Sequence, residues 1–238
     1  MFQSRRRRVF AGVMMGAALS VASVGCSSTR SAKVDEAWLA RVPEDQLGDV
    51  RDAQSQRRMA QDAVTRSEVA VNDANRELEV AKRELDAAKA RMEANEAALK
   101  AARATGQSEN ISQAQAELGN AESALRAAQA QVAYRERVIG TMEARKELRE
   151  NELAVSEAKL NMAEYEALKA NQDVRAQELS EADFASATAD AQRNLEEAQR
   201  KLQTQQREAQ QARASWERLR EQARGYGGSG TEYEQRNP

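Results

Sequence analysis

The chain has no histidine, one cysteine and two prolines in 238 residues, and aromatic residues make up only 4% of it. Without histidine, the commonest metal ligand and the one side chain that titrates near neutrality are both missing. A lone cysteine, Cys26, allows no intramolecular disulfide. So few aromatics argue against a large globular core, because Phe, Tyr and Trp supply the largest buried areas. No proline falls between Asp49 and Ala223, and the only glycines in that stretch are Gly106, Gly119 and Gly140, so long helices are expected. There is no nucleophile elbow, no phosphate-cradling glycine loop and no Cys/His cluster. Carboxylates are plentiful, but they alternate with bases as solvated helix faces do. The expectation is therefore a protein that is not an enzyme, with no cofactor and with no catalytic, cofactor-binding or metal residue assigned.

What is present begins with a leader. Arg5 to Arg8 precede an uncharged run of apolar and small residues, Val9 to Gly25, which ends at Cys26. That order is the layout of a secretory signal peptide, and the run is short for a membrane span. Removing residues 1–25 takes away four arginines and no acids, so 32 basic residues face 38 acidic ones, net −6. Nucleic acid is not expected as a partner, since phosphate backbones are bound by clustered excess Lys and Arg.

The helical region is marked at both ends. Pro43 with Glu44 and Asp45 suits a helix start, and Arg218, Arg220 and Arg224 followed by Gly225 suit a helix end. Counted in heptads, one seam reads Val50, Arg57, Val64, Val71, Leu78, Leu85, Met92, Leu99 and the other Ala53, Ala60, Ser67, Ala74, Ala81, Ala88, Asn95, Ala102. After Thr105-Gly106-Gln107-Ser108 the pattern restarts, with Ile111, Leu118, Leu125, Val132 and Ile139 against Ala114, Ala121 and Ala128. Folding the chain back at Gly106 pairs residues whose numbers sum to 213, and every layer, such as Leu85 with Ala128, then sets a large residue against a small one. Alanine on one side allows the two helices to approach closely. Polar residues in the seams, Arg57, Ser67, Asn95, Arg135, Lys146 and Arg149, read as register-setting devices. Pairs such as Glu79 with Arg83, Glu122 with Arg126 and Glu197 with Lys201 have favourable i, i+4 spacing.

A second reversal is expected near Ser180, where Ser180 and Asp183 have the spacing of a capping box. Leu160 would then face Ala198 and Met142 would face Trp216, so that a third helix covers the polar half of the first hairpin. The rival is one continuous helix from Ile111 to Arg224. The predicted fold is thus all-α: a long antiparallel alanine-rich coiled-coil hairpin with a third helix folded back. Its parts are a signal peptide at 1–25, an anchor spacer at 26–42, helices at about 43–103, 110–178 and 181–224, and a polar tail at 225–238. Tyr134, Tyr165, Phe184 and Trp216 read as helix-packing residues or as a recognition surface. Trp38 reads as resting either at a membrane interface or on the start of the bundle.

Val24-Gly25-Cys26 resembles the end of a lipobox, and the leader, lone cysteine, short spacer and alanine heptads together resemble the bacterial envelope lipoproteins with periplasmic coiled coils. The resemblance is specific over residues 1–28 and architectural beyond them. It implies that Cys26 is lipidated and that a lipid there, of the palmitate type, ties the chain to a membrane. Ser23-Val24-Gly25 also fits an ordinary signal-peptidase cut, and Arg7-Arg8-Val9-Phe10 resembles the core of a twin-arginine signal. In the enteric pattern an aspartate after the cysteine retains a lipoprotein in the inner membrane, so Ser27 implies the outer membrane, facing the periplasm. The functional expectation is a spacer or scaffold for an envelope protein partner. A lipid- or membrane-binding amphipathic helical protein is the alternative, and a homo-oligomeric assembly subunit is a third reading.

Overall fold

The computed structural model describes residues 32–225. The expected signal peptide, the expected lipidation residue Cys26 and the tail beyond Gly225 lie outside the described residues. Within them the chain forms a short helix, α1 (Glu36–Leu39), and three long ones, α2 (Gly48–Thr105), α3 (Ser108–Ala170) and α4 (Glu181–Gly225). Two 3₁₀ turns, Glu44–Gln46 and Val174–Glu178, complete the order, and there is no strand among the described residues. The all-α class and the folded-back third helix are those expected.

The first reversal falls where the glycine signal put it. α2 ends at Thr105, Gly106 takes the left-handed conformation at φ 73°, and α3 begins two residues later. A side chain at that φ would be strained, which is why glycine occupies it. The two arms then run antiparallel in the expected register. Asn95 Nδ2 donates to the Glu117 carbonyl at 3.2 Å, Gln131 Nε2 to Glu84 at 2.7 Å, and Arg135 to Glu77 at 2.6 Å, while Lys146 pairs with Glu68 at 3.3 Å. Each partner lies within two residues of the position that a sum of 213 assigns. The alanine seam is correspondingly closed: Ala53, Ala74, Ala81, Ala114 and Ala121 are all buried, Ala81 to 1% exposure. Burial of these small residues draws the backbones together, so dispersion contacts along the seam stand in for a wide core.

The ends of the helices depart from expectation in two places. Pro43 does not open the long helix. With its φ held at −58° it opens the 3₁₀ turn, and Leu47 at φ −96°, ψ 9° breaks the phase before α2 starts at Gly48. That break lets the preceding residues bend over the end of the hairpin, with Val34, Leu39 and Val42 buried there. The larger departure is at the other end of α3, which stops at Ala170 rather than near 178. Gln172 takes the left-handed conformation at φ 56°, the part usually played by glycine after a helix. The Asp173 N–H then donates to the Leu168 carbonyl at 3.1 Å.

Because the connector runs from Asn171 to Ser180, the second hairpin is centred earlier in the sequence and its register differs from the expected one. Trp216 stacks on Tyr134 at 5.5 Å, not on Met142, about two helical turns away. Gln205 sits beside Thr141, whose hydroxyl donates to the Gln205 carbonyl at 3.2 Å, so Leu160 does not face Ala198. The one-helix rival from Ile111 to Arg224 is excluded by the same turn. α4 also does not cover the polar half of the first hairpin. α2 and α4 pack along α3 and scarcely on each other. Gln131, Arg135 and Lys146 of α3 meet α2, whereas Tyr134, Arg137 and Thr141 meet α4. At 100° per residue these sets fall on different sides of α3, which is shared by its neighbours instead of closing a bundle around one axis.

Candidate functional site

Away from the seams, large side chains gather at one place, the open end of the first hairpin. Val34, Leu39 and Val42 from the N-terminal segment meet Val50 and Ala53 of α2, Leu160, Tyr165, Ala167 and Leu168 of α3, Ala176 of the connector and Phe184 of α4. Leu168 is fully buried and Phe184 nearly so, and the Tyr165 and Phe184 rings stack at 4.9 Å. Trp38 packs against this cluster, and the Arg175 guanidinium lies 5.3 Å from the centre of its ring. Of the two places expected for Trp38, the structure gives the start of the bundle. The aromatic pairs Tyr165–Phe184 and Tyr134–Trp216 both join α3 to α4, so these residues serve helix packing.

The connector meets this head through Ala176 and through Arg175 on Trp38, and Asp173 braces it internally. Its carboxylate caps the 3₁₀ turn by accepting from the Arg175 N–H at 3.0 Å, and it accepts again from Arg175 Nε at 2.8 Å. These bonds, led by the Arg175 side chain, hold the Asp173 pKa down at about 2. Glu164 is the opposite case. It is only 3% exposed, and burial first, then the like charge of Glu36, raise its pKa, while Arg57 and Lys33 act the other way. Sequence reading missed Glu164 because nothing local separates it from Glu157 or Glu166; its burial comes from distant residues folded over it.

Asn95 of α2 and Arg135 and Lys146 of α3 cross-brace the hairpin through the bonds given above, whereas Arg149 bonds locally to Glu152 at 2.6 Å. Several i, i+4 pairs expected on the surface are replaced by other partners. Glu79 pairs with Lys82, Arg126 bonds Ser123, and Lys201 reaches across to Glu147 of α3. The first two are i, i+3 pairs within one helix; only the last depends on an interhelical neighbour, which a single-helix argument does not contain.

The one residue assigned a chemical role by the sequence, Cys26, lies outside the described residues. Among the described residues, no group of three or more acidic, Cys or His side chains is placed to hold a metal ion. An open groove of about 360 Å³ between α3 and α4 is lined by Met162, Ala163, Ala185, Thr188 and Ala189 with Lys159 and Glu166 at its edges, and no nucleophile stands beside a base in it. No described helix is long and apolar enough to cross a membrane. Comparison with protein-family models, with curated proteins and with solved structures finds no match for this chain.

Proposed function

We propose that this chain is a non-enzymatic spacer: lipidated at Cys26, held at the outer membrane facing the periplasm, and presenting its hairpin to an envelope protein partner. The observation that carries this reading is the docking of residues 32–42 on the open end of the hairpin. Cys26 is six residues from Ala32, at most about 20 Å of extended chain. A lipid on Cys26 would thus be tethered next to the head, and Gly106 lies at the far end of α2, a helix of 58 residues or about 85 Å. An anchor at one end and a long, stiff pair of helices leading away from it suit a part that bridges distance. The several acyl chains of a mature lipoprotein would give firm attachment, where one gives only marginal binding.

The test is to follow labelled palmitate and the membrane fraction for the parent chain and for Cys26→Ala. The parent should incorporate label and sediment with outer membrane. Cys26→Ala should do neither, with its helix content unchanged. An unlabelled parent with a free thiol overturns the reading. The membrane-binding alternative is addressed by circular dichroism with and without liposomes. A spacer is already helical alone, because its apolar stripes are packed on each other, whereas a lipid-folded protein gains helix on binding.

A further inference from the structure

Two of the seam residues that sequence reading took for register devices, Ser67 and Arg149, share a place that register does not explain. Nearer the open end of the first hairpin than its tip, Ala63, Arg66, Ser67 and Ala70 of α2 and Arg145 and Arg149 of α3 line a recess of about 310 Å³. Three of the six lining residues are arginines and none is acidic. In a chain whose acids and bases alternate, that separation of sign is local and distinct: on α3, neighbouring Lys146 is held by Glu68 and Glu150, leaving the recess to the guanidiniums. Arg149 is steadied from the side by Glu152 at 2.6 Å, while Arg66 and Arg145 have no carboxylate partner among the described residues. The other three lining residues are small. Ala63 and Ala70 leave the space open, and the Ser67 hydroxyl turns back to the Val64 carbonyl at 2.6 Å, so it does not fill the recess.

We propose that this recess binds a phosphate-bearing anion. A guanidinium offers a planar fork of donors that matches phosphate oxygens in pairs, and a phosphate, with more oxygens and more charge than a carboxylate, can accept from several such forks at once. The volume admits the phosphate together with a small polar body, such as a glycerol or sugar unit. Its apolar lining, the alanine methyl groups and the arginine stems, is too small to bury an acyl chain. The phosphate could therefore come from a free phosphorylated solute or from the headgroup of a lipid whose tails stay outside. This assignment is independent of the spacer reading, since it concerns only α2 and α3.

The test uses the full chain in a zwitterionic detergent at constant ionic strength, with inorganic phosphate titrated calorimetrically and the same micelles doped with phosphatidylglycerol as a second arm. Phosphate should saturate at one site per chain. The double substitution R66Q/R145Q should weaken it at least tenfold, with helix content unchanged because both side chains are exposed. R58Q/R91Q, which removes two exposed arginines outside the recess, should leave it as it was. If doped micelles displace phosphate at lower concentration, and R66Q/R145Q abolishes this, the site is the same and a lipid headgroup is its source; if they do not, the source is a free solute. Non-saturating heats with both probes, or an equal loss in R58Q/R91Q, would show general charge attraction and overturn the proposal.

Discussion

Glu164 shows how a single residue can oppose the fold that contains it. Its carboxyl loses water on folding and faces Glu36, so its pKa is raised in the folded chain. The folded state then holds the proton more tightly than the unfolded state does. Its contribution favours folding at pH below the usual value of 4.5 and is lost as pH rises through the higher folded value. Glu164→Gln removes the charge and keeps the shape. We expect Tm at pH 7 to rise by about 2 °C or more, and the gain to disappear at pH 4, where the parent is already protonated. Parallel melts at the two pH values check this; an equal gain at both would mean that packing, not charge, is responsible. Asp173 runs in the opposite direction. Its pKa near 2 means that the cap with Arg175 stabilises the connector above the ordinary value of 3.8, and that this is lost as pH falls through the folded value.

At the scale of the elements, the first hairpin was legible in both its turn and its register, the second only in its existence and in the start of its last helix at Glu181, and the difference lies in particular residues. Gly106 announced the first turn because only glycine takes its φ without strain, and the seams, alanine against large residues, admitted one register. The second turn rests on Gln172, an exposed residue with no turn signature, between Leu168 and Ala176, which are both buried in the head. With the turn misplaced by several residues, every facing pair of the second hairpin was misassigned. The glycines provide a test of this account. Gly106→Ala should cost about 1 kcal/mol, because a Cβ is strained at φ 73° whatever the free space. Gly140→Ala lies in a helix interior, where alanine gains up to about 1 kcal/mol, and the new Cβ meets only the movable Gln205 amide at 2.8 Å. Denaturant melts should therefore give the two variants opposite signs, or at least a clear gap with Gly106→Ala the less stable. The register has its own check: in a Cys26→Ala background, cysteines replacing Leu85 and Ala128 should oxidise within one chain, and cysteines replacing Leu85 and Ala114 should not. About 7 Å between Cα atoms is the limit for such a bridge, and 14 residues of helix separate the two positions on α3.

Across the described chain, the strongest packing and the longest reach are at opposite ends of α2. The head joins four stretches of sequence, residues 34–42, 50–53, 160–168 and 176–184, and holds the stacked Tyr165 and Phe184 together with fully buried Leu168. Sequence reading found none of this as a unit. It placed residues 26–42 in a spacer and allowed Trp38 alone a seat on the start of the bundle, because a core built from segments more than a hundred residues apart leaves no local period. The tip has only the two arms, with Leu99 and Ala114 the last buried residues before Gly106. Burial of a Leu or Phe contributes roughly 1.5–3 kcal/mol and that of an alanine methyl much less, so opening should be easiest where alanine dominates. Hydrogen exchange followed by mass spectrometry should find slow amides in peptides covering 160–168 and fast ones in 99–115, with α4 beyond Trp216 faster than α4 near Phe184. A tip as protected as the head would mean that the hairpin opens as one unit, and that the alanine seam carries far more cohesion than its buried area allows. A graded profile would instead describe a chain held firm at the head and yielding at the tip, the end that the proposed function presents to a partner.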